Sequence, residues 1–376
     1  MKRRVLFVAT VLRGHVLVFH LPYMKWFQEQ GYEVHLCCRN DTGEASVQVP
    51  CCDRFIELPF ERDPFSKGNL PVYRRLKKLI DEGEYAIVHC NTPVGGLLGR
   101  LCSRDARKRG TKVIYTAHGF HFFTGAPLKN WLLFYPVERM LARFTDLLIT
   151  INGEDYKRAS RFQAGKTALV NGVGVDLSRF EALVDRAAVR AGLGLAPEDP
   201  VLVCVGEHIE RKNHETLLRA AALLPDVQVL FCGVGEKQQE LERLAGELKL
   251  SDRVQFLGFR RDVPQILGAS DVFVFPSWQE GLPVSQMEAM AAGLPCVVSD
   301  VRGNADLIRP GEGGFLRKPS DFEGFADDIA QLIGDPALRE SMGQRNRREI
   351  EKYSLEAVLG QMAELYREQL KGSTNG

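Results

Sequence analysis

The sequence predicts an α/β protein made of two doubly wound, Rossmann-like parallel-sheet domains facing a cleft. Three observations carry that prediction. The chain has 376 residues, more than one hydrophobic core usually serves. Short unbroken runs of Val, Ile, Leu and Phe alternate with longer stretches of helical periodicity, the signature of parallel strands covered on both faces. The alternation weakens once, around Asp176–Pro200, where the text reads RAAVRAGLGLAPEDP, and then begins again.

In the first half the expected strands are Arg4–Val11, Glu33–Cys38, Arg54–Leu58, Ala86–Cys90, Lys112–Ala117 and Asp146–Ile151, with helices such as Leu70–Glu82 and Gly95–Arg109 between them. In the second half Val201–Val205, Val227–Cys232, Val254–Leu257, Val272–Phe275 and Cys296–Ser299 read as strands. Asn213–Leu224, Glu236–Lys249 and Pro283–Ala292 read as helices, and helices dominate from Phe322 to Leu370. The domains are placed at residues 1–175 and 176–354.

Composition narrows the class. A hydrophobic share of 45% with 26% charged residues is that of a soluble globular protein. The start MKRRVLFVATVL imitates a leader, but its apolar run stops at Arg13 and no small-x-small site follows, so it reads as a first buried strand. No run of about 18 apolar residues predicts a membrane-spanning helix. The nine cysteines form no Cys-x-x-Cys unit and mostly sit in apolar runs, as Cys204 and Cys232 do. They read as reduced core thiols of a cytoplasmic protein. Net charge is only +1, yet residues 1–175 carry 26 Lys/Arg against 16 Asp/Glu, while residues 176–376 carry 23 against 32. Two readings of the basic half stay open: solvated faces, or contact with something anionic such as a membrane surface or a lipid phosphate. The same holds for Trp131–Tyr135, which suits either lipid contact or a buried helix face. A nucleic-acid partner is not expected.

Ligands of doubly wound sheets bind at the carboxyl ends of the strands, so the strand-to-helix loops should hold the chemistry. The richest is PSWQEGLPVSQMEAMAAGLP, residues 276–295. A helix is expected from Pro283, closed by Gly293, and its unpaired first amides near Gly281–Val284 suit a phosphate. Glu280 lies before that helix and Glu288 inside it, so one carboxylate can face a sugar while the other reaches a ribose diol. In VGEHIERKNHETL, residues 205–217, Arg211 and Lys212 place two cations where a diphosphate would lie; directly after a buried strand this outweighs a merely solvated basic turn. Gly233-Val234-Gly235 permits close backbone approach but lacks the third glycine of a nicotinamide fingerprint, because Gln238 stands there. In GFRRDVP, residues 258–264, a plain loop capped by Asp262 is one reading. His118 stands at the carboxyl end of the Lys112–Ala117 strand and is followed by Gly119, a place where an imidazole can donate to a sugar hydroxyl. There is no Asp-x-Asp, and Asp321-Phe322-Glu323 reads as a helix cap. No His/Cys/Asp group has metal-ligand spacing, and neither Gly-x-Ser-x-Gly nor a Walker loop occurs. No metal or resident cofactor is therefore expected.

On the segments ATVLRGH, PCCDRF, YTAHGFHFFTGAP, VGEHIERKNH, GFRRDVP and EGLPVSQMEAM, the sequence resembles the retaining glycosyltransferases of family 4, which have GT-B architecture. The resemblance spans nearly the whole chain and points to bacterial members that build capsular or exopolysaccharide repeat units. It implies a final helix, about 355–371, packed back on the first domain. It implies Glu280, His118, Arg211 and Lys212 as the catalytic set. For the donor, a nucleotide-diphosphate sugar with uridine as the expected nucleotide, it implies Gly14, Gly206, Glu207, Gly233, Phe259, Arg260, Gly281, Leu282, Pro283, Val284 and Glu288, besides Arg211, Lys212 and Glu280. For a lipid-linked or saccharide acceptor it implies Arg13, His15 and His121, at the inner face of the plasma membrane. The sequence departs from the family at Glu207, where many members have Arg, and at Gly14, where the usual double glycine is missing. Either change alters the expected diphosphate contacts. The alternatives are a nucleotide-sugar epimerase of the same architecture or an inactive nucleotide-sugar-binding partner protein.

Overall fold

The computed structural model describes residues 3–371. The chain divides into two compact units: the first runs to Val173 and resumes at Val358, and the second is Gly174–Ala357. In the first, seven strands, β1 (Arg4–Val11), β2 (Glu33–Arg39), β3 (Arg54–Glu57), β4 (Tyr85–Asn91), β5 (Lys112–Ala117), β6 (Leu147–Thr150) and β7 (Lys166–Leu169), form one parallel sheet of order β3-β2-β1-β4-β5-β6-β7. In the second, β8 (Val201–Val205), β9 (Gln228–Cys232), β10 (Val254–Phe256), β11 (Val272–Phe275), β12 (Cys296–Ser299) and β13 (Gly314–Arg317) form another, of order β10-β9-β8-β11-β12-β13.

In both sheets the order in which strands are added reverses at the corresponding place, between β1 and β4 and between β8 and β11. Crossover helices then diverge to opposite faces, and the loops at the carboxyl ends of these neighbouring strands are left uncovered. The reason the strands sit inside is visible in β1. Val5, Leu6, Phe7 and Val8 are at most 1% exposed. Leu6 and Val8 join the core on one face, Val5 and Phe7 the core on the other, as a period of two requires.

The helix Leu355–Lys371 contributes Val358, Met362, Ala363 and Tyr366 to the second of those cores. Tyr366 is fully buried, its ring stacks on Trp26 at 5.5 Å, and its hydroxyl lies 3.0 Å from Nδ1 of His89. Two strands were not foreseen: β7 and β13, each at the edge of its sheet, with sequences KTAL and GFLR too short and too polar at the ends to form an apolar run. The expected Gly95–Arg109 helix is two, Pro93–Cys102 and Arg104–Lys108.

No cysteine is in a disulfide; Cys51 and Cys52 are half-buried and the other seven buried. Asp321 does cap a helix, its side chain accepting from Gly324 N. Among the described residues no helix is long and apolar enough to cross a membrane. The helix Leu128–Ala142 divides between the two readings given to it. Trp131, Phe134 and Tyr135 pack on the core, while Leu128, Leu132, Leu133 and Met140 are 73%, 68%, 47% and 44% exposed.

Truncating a fully buried aromatic leaves a cavity worth about 3–5 kcal/mol. Tyr366→Ala is therefore expected to lower the urea midpoint of the first unit markedly. A midpoint within error of the wild type would show that this helix does not hold the first core together.

Candidate active site

The second unit gathers its charged groups at the strand reversal. After β8 the chain makes a tight turn, Glu210–Lys212, that ends in Asn213 with φ of 53°. Asn213 donates to the carbonyls of Pro276 and Pro319, both at 2.8 Å, and the amide of Trp278 donates to the carbonyl of Arg211 at 2.9 Å. The loops after β8 and β11 are thereby stitched together. As a result Arg211 Nη1 and Lys212 Nζ both donate to the same oxygen, Oε1 of Glu280, at 2.9 and 2.8 Å. Arg211 Nη1 also reaches the carbonyl of Gln279 at 2.8 Å. Lys212 and Glu280 are buried, and the ammonium sits 4.6 Å from the centre of the Phe275 ring.

Two cations against one carboxylate leave the trio with an excess of positive charge. Beside it begins the helix Val284–Ala292, whose N-cap is Pro283 and which has no side-chain cap. Its first-turn amides and the positive end of its dipole face the same loop. The combination asks for an anion.

Glu288 is on the second turn of that helix and accepts from Arg179 Nη1 at 2.7 Å. Burial pushes its carboxyl above the usual carboxylate range, and Arg179 pulls the other way without cancelling the shift. Leu282 and Pro283 are buried, and Gly281 and Val284 half-buried. Gly233 packs on the backbone of Gly206: a Cβ on Gly233, whose φ is +156°, would lie 1.9 Å from the Gly206 carbonyl oxygen, whereas one on Gly206 would meet only the Lys212 and Phe275 side chains, at 3.5 Å. The close approach that Gly233 allows is thus between two loops of the chain itself. Glu207 is exposed and makes no ion pair among the described residues, so the orienting of Arg211 and Lys212 falls to Glu280 instead. Phe259 is 74% exposed. Arg260 is clamped to Asp262 by two hydrogen bonds of 2.8 and 2.5 Å. Asp262 occupies the N-cap position of the next helix, but its side chain makes no cap bond, because it is spent on Arg260.

The first unit has a cluster of a different kind. His15 lies in a single wide helical turn, Leu12–Val16, after β1; His118 follows β5; and His20, which the sequence did not mark, is buried between. Ring centres are 4.7 Å apart for His15–His20, 4.7 Å for His15–His118 and 5.6 Å for His20–His118. Nε2 of His15 and of His20 face each other at 2.9 Å, while Nε2 of His118 is buried with no partner. Burial pulls the His15 imidazole down to about 4 and His118 and His20 well below their ordinary value, so all three are neutral at physiological pH. The sequence offers no group with metal-ligand spacing, yet the fold brings one ligand atom from each of the three within 4.8 Å of the others. The spacing rule failed because one ligand comes from a strand about a hundred residues away in sequence.

Arg13 and Gly14 are exposed on the same turn. The amides of Leu12 and Arg13 donate to Oδ1 of Asp41, at 2.9 and 2.6 Å, so a carboxylate already occupies two amides of the turn that carries Gly14. His121 is half-buried against Phe134, with ring centres 4.7 Å apart. Sequence reasoning missed Asp41, Arg179, His20 and Arg302, whose Nε donates to the Glu280 carbonyl at 3.1 Å. Asp41 and Arg302 each follow the carboxyl end of a strand, and a search of every such loop for polar residues would have found both.

Glu288 gives a pH signature. Its folded pKa is raised, so the native protein holds this proton to a higher pH than the unfolded chain does; the stability it contributes is present below the unfolded value and is lost as pH rises through the folded one. Glu288→Gln stays neutral throughout. Its stability relative to wild type should rise as pH climbs from the ordinary carboxylate range upward. A constant difference over that climb in urea melts would contradict the assignment.

Comparison with known proteins bears on these two groups. Residues 185–349 match the family of glycosyl transferases group 1, and residues 4–152 match the glycosyl transferase 4-like family. EpsD of Bacillus subtilis (strain 168), a glycosyltransferase by designation, is 44% identical over 374 residues, covering 97% of each chain. The UDP-Gal:alpha-D-GlcNAc-diphosphoundecaprenol alpha-1,3-galactosyltransferase of Escherichia coli is 30% identical over 327 residues, 82% of this chain and 81% of that one. The crystal structure of Anabaena HepE in complex with UDP and glucose superposes with a TM-score of 0.81 at 21% identity, covering 98% of this chain and 100% of the other, and shares the GT-B fold. With both units matched and two relatives similar over most of their length, the chain belongs to the group 1 glycosyltransferases.

Proposed function

We propose that the protein transfers a hexose or N-acetylhexosamine, with retention of configuration and without a divalent ion, from a UDP-sugar to a lipid-linked saccharide in cell-surface polysaccharide assembly. The observation that carries the proposal is the Arg211–Lys212–Glu280 trio beside an uncapped helix start. Fixed cations and helix amides supply in place what a bound metal supplies elsewhere, stabilising the diphosphate as it takes on charge. Similarity to the diphosphoundecaprenol galactosyltransferase supports the acceptor class, and UDP in HepE supports the nucleotide.

In this reading the diphosphate takes hydrogen bonds from Arg211, Lys212 and the amides of Val284 and its neighbours. Both cations address Oε1 of Glu280, which leaves Oε2 for a hydroxyl of the sugar. Glu288 takes the ribose diol, with Arg179 keeping it in place. Gly14, Gly206, Gly233, Phe259 and Arg260 shape the donor loops. His118, neutral and with a free ring nitrogen, bonds a sugar hydroxyl. Arg13, His15 and His121 meet the acceptor. The bond from the anomeric carbon to the diphosphate oxygen breaks while the acceptor oxygen bonds to that carbon on the same face, and its proton passes to the departing diphosphate.

The protein works at the cytoplasmic face of the membrane, resting on it through the helix Leu128–Ala142. Its exposed Leu128, Leu132, Leu133 and Met140 lie among Lys129 and Arg139, an apolar stripe with basic flanks that suits an anionic bilayer.

Glu280→Ala is expected to lower turnover by about 10²–10³-fold while changing UDP affinity far less, with EDTA present throughout. Equal losses in both would reduce Glu280 to a structural prop. Consumption of donor without any acceptor would favour the epimerase reading, and donor binding with no turnover the inactive partner.

Wild type should sediment with anionic vesicles more than with neutral ones, and Leu132→Glu/Leu133→Glu should stay in solution. Equal, salt-insensitive sedimentation with both lipids, or none, would remove the membrane claim.

A further inference from the structure

We propose that His15, His20 and His118 form a binding site for one divalent transition-metal ion that prefers imidazole, such as Zn²⁺, Co²⁺ or Ni²⁺. The proposal starts from proton arithmetic. A neutral imidazole has one N–H and one lone pair. Nε2 of His15 and Nε2 of His20 face each other at 2.9 Å, where only one proton fits, and Nε2 of His118 is buried with no partner at all. Nδ1 of His20 is buried and unpartnered too. Each neutral ring keeps one lone pair, and a cation at the centre of the cluster accepts one from each of the three at once.

The dimensions agree. Tetrahedral zinc with Zn–N bonds of about 2.0–2.1 Å places its nitrogens about 3.3–3.4 Å apart. One ligand atom from each ring already lies within 4.8 Å of the others, and the closest pair is at 2.9 Å. Small rotations about the side-chain bonds bring the three to bonding distance. Three nitrogens and no carboxylate suit borderline metals and not Mg²⁺ or Ca²⁺, which demand oxygen. No other trio of His, Cys, Asp or Glu among the described residues offers such a set.

Bound metal would occupy the nitrogens of His118 and His15 and so block sugar transfer reversibly. That consequence rests on the proposed function; the binding itself does not.

The test uses protein stripped with EDTA and dialysed free of it. Titration with Co²⁺ should give the visible d–d absorption of a tetrahedral site and one ion per chain, and calorimetry with Zn²⁺ the same stoichiometry. His20→Ala and His118→Ala should each abolish the signal, and His121→Ala should keep it. No stoichiometric binding, or binding that survives both substitutions, overturns the proposal. Should either variant fail to fold, X-ray absorption of the zinc-loaded wild type decides: a shell of imidazole nitrogens supports the site, and sulfur scattering, from Cys51 or Cys52, refutes it. Zinc should also inhibit transfer, with EDTA restoring it. If no transfer is found in any condition, the spectroscopic result still stands alone.

Discussion

One oxygen atom, Oε1 of Glu280, holds the second unit's site in order. It accepts from Arg211 and Lys212 together, with the Glu280 and Lys212 side chains only 6% and 11% exposed. A buried carboxylate without a partner is expensive, and deleting one member of a buried pair typically costs about 3–5 kcal/mol. The two loops that carry these residues are thus tied to each other by electrostatics as well as by the Asn213 and Trp278 hydrogen bonds. The same arrangement leaves positive charge over, and in a low-dielectric setting that excess acts strongly on whatever anion arrives. Structural support and readiness for a ligand come from one interaction.

Everything around the trio serves to fix it. Arg302 Nε holds the Glu280 carbonyl, and Gly303, with φ of +83°, lets its own loop pass so near that a Cβ would lie 2.6 Å from the Gly281 oxygen. Beneath, Asn304 donates to the hydroxyl and carbonyl of Ser299, and the Ser299 hydroxyl donates to the Ser277 carbonyl. All of these side chains are fully buried. Preorganisation of this kind is what electrostatic catalysis requires, because dipoles that are already aligned need no rearrangement as charge develops. The first unit follows another logic. There the polar groups are imidazoles that burial keeps uncharged, and Tyr366 on the returning helix braces His89 under them.

How much of this the sequence disclosed depended on the physics of each feature. Central strands were legible because their side chains are buried on both faces and so read as unbroken apolar text; β7 and β13 escaped because edge strands are half-exposed and short. Arg211, Lys212, Glu280 and Glu288 were legible because chemistry restricts the residue type at each. Their partners were not. Arg179 pairs with Glu288 across 109 positions, and Arg302 and Asp41 act on backbone atoms, which leave no mark on the text of the loop they stabilise. His20 sat in VLVFHLP and looked like one polar residue in a helix. Gly233 is small because two loops touch, a reason that sequence cannot separate from closeness to a ligand.

The central claim is that fixed cations, with no divalent ion, hold a nucleoside diphosphate in the second unit. Calorimetric titration of UDP and of uridine in EDTA, against the wild type and Arg211→Gln/Lys212→Met, tests it most directly. The account predicts that the wild type binds UDP far more tightly than uridine and that the double substitution erases most of that difference. A preference for UDP that survives the substitution, or one that appears only when Mg²⁺ is added, would contradict it.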